Sequence, residues 1–217
     1  MLAWLGLREY RSFAELARYE RVGRDWERTV VPRGSAVAIV VPHGGNIEAG
    51  TSEIGALLAG DDFSFYAFER LRPRGSPSLH ITSTRFDDPA CLELVATARV
   101  VVTVHGCRDA ESIVCLGGRH MALRHRFAAA LQAAGFDARP DDPRYPGEDP
   151  DNICNRGRDR AGVQLEISRG LRRLMFGGLH TGQRSRTGPR FLAFGIALHP
   201  VLRALERELA DTEASRA

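Results

Sequence analysis

Apolar residues along the chain fall into two patterns. Short unbroken runs fit strands buried on both faces of a sheet. Longer stretches, in which apolar residues recur every three or four positions, fit amphipathic helices. The runs at 36–41 (AVAIVV) and 100–104 (VVVTV) predict the two strongest strands, and 162–168 (GVQLEIS) a third central one. Weaker strands are predicted at 63–68, 79–83 (LHITS) and 112–116. Helices are predicted at 12–20, capped by Ser12 with Glu15 as its capping-box partner, at 51–58, and at 88–98, where Asp88 and Pro89 supply cap and first turn. Two more are predicted at 119–134, closed by Gly135, and at 192–209, broken at Pro200 with a frayed polar tail after it. Residues 140–150 and 177–189 predict loops. This alternation predicts an α/β three-layer sandwich with a mixed, mostly parallel central sheet. No repeat or linker divides the chain, so one domain over residues 1–217 is expected.

Composition narrows the function classes. Hydrophobic residues are 43% and charged residues 26% of the chain, an ordinary globular balance. The net charge of +3 is too small to argue for nucleic acid. All the basic residues are Arg and none is Lys. A coding bias accounts for that, although Arg also suits carboxylate and phosphate partners through its bidentate fork. The cysteines Cys91, Cys107, Cys115 and Cys154 form no C-x-x-C pair, and Cys91 and Cys115 read as buried thiols. The apolar start is too short for a secretory signal and no run is long enough for a membrane span. A soluble, cytoplasmic protein without a membrane partner is the expectation.

Two buried strands run into a His followed by Gly, at His43 and at His105. In open α/β sheets functional groups gather beyond the carboxyl ends of strands. Glu48 lies five residues after His43, and Gly44 and Gly45 permit a turn that folds it back. His43, Glu48 and His105 would then form a two-His, one-carboxylate set, the ligand set of open catalytic zinc sites. That donor set favours zinc over manganese or cobalt. Glu166, inside the strand 162–168, is the candidate general base. Plainer readings exist: a His-Gly pair also makes an ordinary turn, and Glu166 alternates with Gln164 and Ser168 as a half-exposed strand does.

Several segments together resemble the phage-related poly-γ-glutamate hydrolases: PHGGNIEAGTSEI (42–54), LHITSTRFDDP (79–89), VTVHGC (102–107), NICNRG (152–157) and GVQLEISRGLR (162–172). They stand in the family's order between about residues 13 and 172. The resemblance implies a zinc-carboxypeptidase-like fold and a zinc hydrolase that cleaves γ-glutamyl amide bonds in poly-γ-glutamate. It implies His43, Glu48 and His105 as metal ligands and Glu166 as general base. It also implies Asn155 and Arg156 as a pair gripping a substrate carboxylate, although here the pair follows the third ligand, whereas in carboxypeptidases proper it precedes it. Asn46 stands where the family has a third glycine. Arg156, Arg169, Arg172 and Arg173 are candidates to meet substrate carboxylates, with Arg172 and Arg173 read rather as solvated surface charges. His80 reads as a second-layer partner or a bonded strand histidine, and Cys107 as packing. The competing readings are a zinc amidohydrolase of small acyl-glutamate or γ-glutamyl peptides, and a non-catalytic polyanion-binding protein.

Overall fold

The computed structural model describes residues 10–72 and 79–215. The strands are β1 (Trp26–Val31), β2 (Val37–Gly45), β3 (Ser64–Arg70), β4 (Val100–Cys107), β5 (Ile113–Gly117), β6 (Asp137–Pro140) and β7 (Val163–Ser168). The helices are α1 (Phe13–Tyr19), α2 (Thr51–Ala59), α3 (Pro89–Thr97), α4 (Met121–Ala133), α5 (Arg169–Met175) and α6 (Pro189–Ala214). The strands form one sheet in the order β1-β3-β2-β4-β7-β5-β6. β3, β2, β4 and β7 run parallel, as do β5 and β6, while β1 on β3 and β5 on β7 are antiparallel. The expected mixed, mostly parallel α/β sheet is therefore present.

Strand alternation divides the interior in two. Val37, Ile39 and Val41 of β2, Val100, Val102 and Val104 of β4, and Val163, Leu165 and Ile167 of β7 pack beneath α2, α4, α5 and α6. Val40, Tyr66, Phe68 and Val101 face the other way, toward α1, α3, Ile81 and Phe86. Side chains of period two that bury on both faces need helices on both sides, which makes the third layer. The parallel strands β2, β4 and β7 bring their carboxyl ends to one edge.

Several boundaries differ from the sequence expectation. β2 and β4 do not stop before their histidines but carry through them, to Gly45 and Cys107. Residues 79–83 form no strand: Ser83 O accepts from Ile153 N–H, and Ile81 O faces a ring nitrogen of His43. β1 and β6 gave no apolar signal because they lie at the sheet edges, with polar sequences WERTVV and DARP. α5 follows β7 directly, its start capped by Ser168 Oγ. α6 is not broken at Pro200. Its apolar face, from Phe191 and Phe194 to Leu205 and Leu209, is held in the core, while Pro200 and Ile196 lie on the solvent side. Water can there solvate the carbonyl that proline leaves without a helical donor.

The interior proline predicts a stability change. Pro200→Ala restores one helical N–H on the exposed face and should stabilise the protein by about 1–2 kcal/mol, allowing for the greater freedom of the unfolded chain. Urea denaturation checks this, and a destabilised variant would mean that the helix needs its proline.

Candidate metal centre

His43 owes its direction to an irregularity. Between Val41 and Gly44 the register of β2 on β3 slips: Val41 pairs with Ala67, but Gly44 pairs with Glu69. Three steps on β2 thus match two on β3, a bulge at Pro42 and His43, where proline has no N–H to give the ladder. Without the extra residue, alternation would send His43 to the face of Val41. With it, His43 joins His105, which regular alternation in β4 places on the opposite face from Val104.

Glu48 returns by a tight turn. Gly45 has φ +61°, and a Cβ there would sit 2.4 Å from Arg70 O. Ile47 N–H donates to Gly44 O and Glu48 N–H to His43 O, closing the turn. Asn46 secures its outer side: its N–H donates to Arg70 O and its side-chain amide to Leu71 O, while Oδ1 accepts from Thr181 and Arg184. Glu48 Oε2 accepts from the Gly106 N–H at 2.8 Å, which anchors the carboxylate beside His105.

The result is donor atoms from three residues gathered at one point. His43 Nδ1 lies 3.1 Å from His105 Nδ1 and 3.2 Å from Glu48 Oε1, and His105 Nδ1 lies 3.7 Å from Glu48 Oε2. Among the described residues, these form a group able to hold a metal ion. The far nitrogens are engaged: His43 Nε2 meets Ile81 O at 2.7 Å and His105 Nε2 meets Ser83 Oγ at 3.3 Å. A carbonyl only accepts, so His43 Nε2 carries a hydrogen and, in the neutral ring, Nδ1 carries a lone pair. Such outer bonds fix the tautomer of metal-binding histidines. Two imidazole nitrogens and a carboxylate this close need positive charge between them, and the donors suit zinc. Burial pushes the Glu48 carboxyl up, but the His43 and His105 rings overcome it and hold it far below the usual range. Burial pulls His105 down, yet its bond to Glu48 and the fields of Glu166 and Glu48 raise it overall.

Glu166 pairs in register with His105 on one side and Cys115 on the other. Burial, opposed by His105 and assisted by Glu48, pushes its carboxyl up to about 7. Gln164 Nε2–H donates to Glu166 Oε1 at 3.0 Å, and Asn152 fixes Gln164 in turn. All four groups line a cleft of about 330 Å³ that also meets His80, Thr82, Ser83 and Thr84 on one wall and the segment 144–149 on the other. Arg144 reaches it held by Asp109 and Asp142 and lying over the Tyr145 ring.

The remaining sequence candidates fall elsewhere. Neither Asn155 nor Arg156 is among the residues that line this cleft. Asn155 is fully buried: its Nδ2 donates to Gly147 O and Asp149 O, and its Oδ1 accepts from Arg119 and Gly162. Its amide thus ties the 144–149 wall to the start of β7. Arg156 and Arg169 are half-buried and Arg173 is exposed. Arg172, expected at the surface, is instead only 4% exposed. The reason is that α5 begins directly at the end of β7 and turns this face inward. His80 stacks on His43 with ring centroids 4.0 Å apart, and burial and His43 push it down to about 4. Cys107 is buried, as are the other three cysteines, and all four are free thiols. The outer partner Ile81 O left no trace in the sequence, because a backbone carbonyl has no side-chain signature.

Comparison with known proteins bears on this geometry. The sequence pattern of the poly-gamma-glutamate hydrolase family matches residues 10–195. Protein YndL of Bacillus subtilis (strain 168) is 34% identical over 189 residues, which cover 85% of this chain and 74% of YndL. The zinc-free apo structure of YndL superposes with a TM-score of 0.84 at 33% identity, covering 89% of this chain and 96% of that one. The SPbeta prophage-derived protein YoqZ of the same organism is 37% identical over 153 residues, 70% of this chain and 56% of YoqZ. A bacteriophage poly-gamma-glutamate hydrolase superposes with a TM-score of 0.87 at 30% identity, covering 90% of this chain and 97% of that one.

The raised Glu166 carboxyl predicts a pH dependence of the metal-free protein. Its folded value of about 7 stands above the ordinary 4.5, so between them the folded state binds the extra proton. Stability contributed by this group is therefore greatest at low pH and is lost as pH rises from 4.5 through 7. Glu166→Gln should remove that loss and make the metal-free protein more stable than wild type at pH 8, with no gain at pH 4. Denaturation at the two pH values, in chelator, checks it.

Proposed function

Because this chain belongs to the poly-gamma-glutamate hydrolase family, we propose that it hydrolyses γ-glutamyl amide bonds of poly-γ-glutamate at a zinc centre formed by His43, Glu48 and His105. The observation that carries the zinc reading is the 3.1 Å approach of the two Nδ1 atoms, with Ile81 O on the far nitrogen of His43. The description of the YndL structure as an apo, zinc-free form supports the choice of metal. When bound, zinc supplies Lewis acidity, which makes a carbonyl more electrophilic and a water easier to deprotonate.

The chain's own residues do the rest. Glu166 is the general base: Oε1 is fixed by Gln164, and Oε2 takes a proton from the attacking water. It passes that proton to the amide nitrogen as the C–N bond breaks, so the amine leaves neutral. A carboxyl near 7 suits both halves of this transfer at neutral pH. Arg144 stiffens the wall of the cleft, its Nε, Nη1 and Nη2 bonded to Asp142 and Asp109. Asn155 serves the same wall from behind rather than meeting substrate, and Arg156 stands outside the cleft.

Two variants test this. Purified wild type should carry about one zinc per chain by mass spectrometry and shorten poly-γ-glutamate, followed by gel filtration. His105→Ala should lose both metal and depolymerisation. Glu166→Gln should keep the zinc and lose about 100- to 10,000-fold in kcat. Zinc without depolymerisation in the wild type would move the substrate to small γ-glutamyl amides. A folded wild type that takes up no zinc would leave a polyanion-binding protein.

A further inference from the structure

Behind the metal centre lies a cation that the reaction above does not use. Arg172 is almost wholly buried, and its guanidinium donates to three backbone carbonyls from three different segments. Nη1–H reaches Ala49 O at 2.6 Å, Nη2–H reaches Cys107 O at 2.9 Å, and Nε–H reaches Ile167 O at 3.0 Å. Ala49 follows Glu48, Cys107 lies two residues beyond His105, and Ile167 follows Glu166. Each segment carries one of the proposed working side chains, and this one guanidinium bonds all three.

We propose that Arg172 is the positioning residue of the metal centre: its fork sets the spacing of the segments that carry Glu48, His105 and Glu166. The proposal rests on the zinc reading given above. Lysine is a poor substitute, because a single ammonium cannot reproduce a planar fork aimed at three acceptors. Gly106 records how closely the fork is packed. A Cβ there would meet Arg172 Cζ at 2.6 Å, and its three nearest atoms all belong to that guanidinium. Charge follows the same geometry: burial disfavours the guanidinium, and Glu48 and Glu166 lie near enough to offset part of that cost.

The test compares Arg172→Lys and Gly106→Ala with wild type and with Arg173→Lys as an exposed neighbour control. Gly106→Ala keeps the arginine and the Gly106 N–H but displaces the fork, so it decides the matter if Arg172→Lys fails to fold. Zinc affinity by chelator competition and the visible spectrum of the cobalt-substituted protein are read together with the far-ultraviolet circular dichroism of the metal-free form. In folded variants the proposal expects zinc to bind about 10- to 100-fold more weakly, the range for loss of an outer-layer partner. It also expects altered cobalt bands, a fall in kcat with little change in KM, and wild-type behaviour in Arg173→Lys. Unchanged zinc affinity and cobalt spectrum in folded variants would overturn it while leaving the metal centre intact. A wild type that binds no zinc would overturn both.

Discussion

Electron-pair donors of His43, His105 and Glu48, with closest approaches of 3.1 to 3.7 Å in a cleft, repel unless a proton or a cation stands between them. That closeness is the constraint on which the rest of the site depends. A chain left to itself would rotate the rings apart. Here neither ring is free to turn, because Ile81 O and Ser83 Oγ hold their far nitrogens. Glu48 cannot swing away either, because the Gly106 N–H holds its second oxygen. The fold supplies rigidity around an arrangement that is unfavourable without a proton or a cation between the donors, which is how a preorganised binding site is expected to look.

The rigidity has identifiable sources. Parallel strands deliver His105 and Glu166 in register on one face, and the bulge in β2 delivers His43 to the same face. The glycine turn brings Glu48 back across the strand end, and Asn46 fastens that turn to the segment 179–184. Asn155 holds the opposite wall. Each device bonds buried backbone polar groups that would otherwise go unpaired at strand ends, where the sheet ladder runs out. Functional geometry and hydrogen-bond satisfaction therefore share the same residues.

Much of this was legible in the sequence. The unbroken apolar runs at 36–41 and 100–104 marked the central strands, because a strand buried on both faces has no polar side to display. His43, Glu48, His105 and Glu166 stood out because strand ends and glycine turns limit where side chains can go. The parts that were less legible depended on neighbours. Residues 79–83 carry strand-like residues but find no edge to pair with, and instead orient the histidines. Pro200 breaks helices in general, yet an exposed position lets α6 continue past it. Arg172 resembled its exposed neighbour Arg173 until the turn between β7 and α5 fixed which of them faces inward. Asn155 matched a substrate-gripping motif, but burial engages its whole amide.

Diffraction can see directly where a cation sits. Crystals grown with zinc would be measured above and below the zinc absorption edge. The proposed zinc centre predicts one strong anomalous peak per chain between His43 Nδ1, His105 Nδ1 and the Glu48 carboxylate, at about 2.0–2.2 Å from each. A peak elsewhere, coordination through the Nε2 atoms, or a zinc-soaked crystal with native side chains and no peak would contradict it.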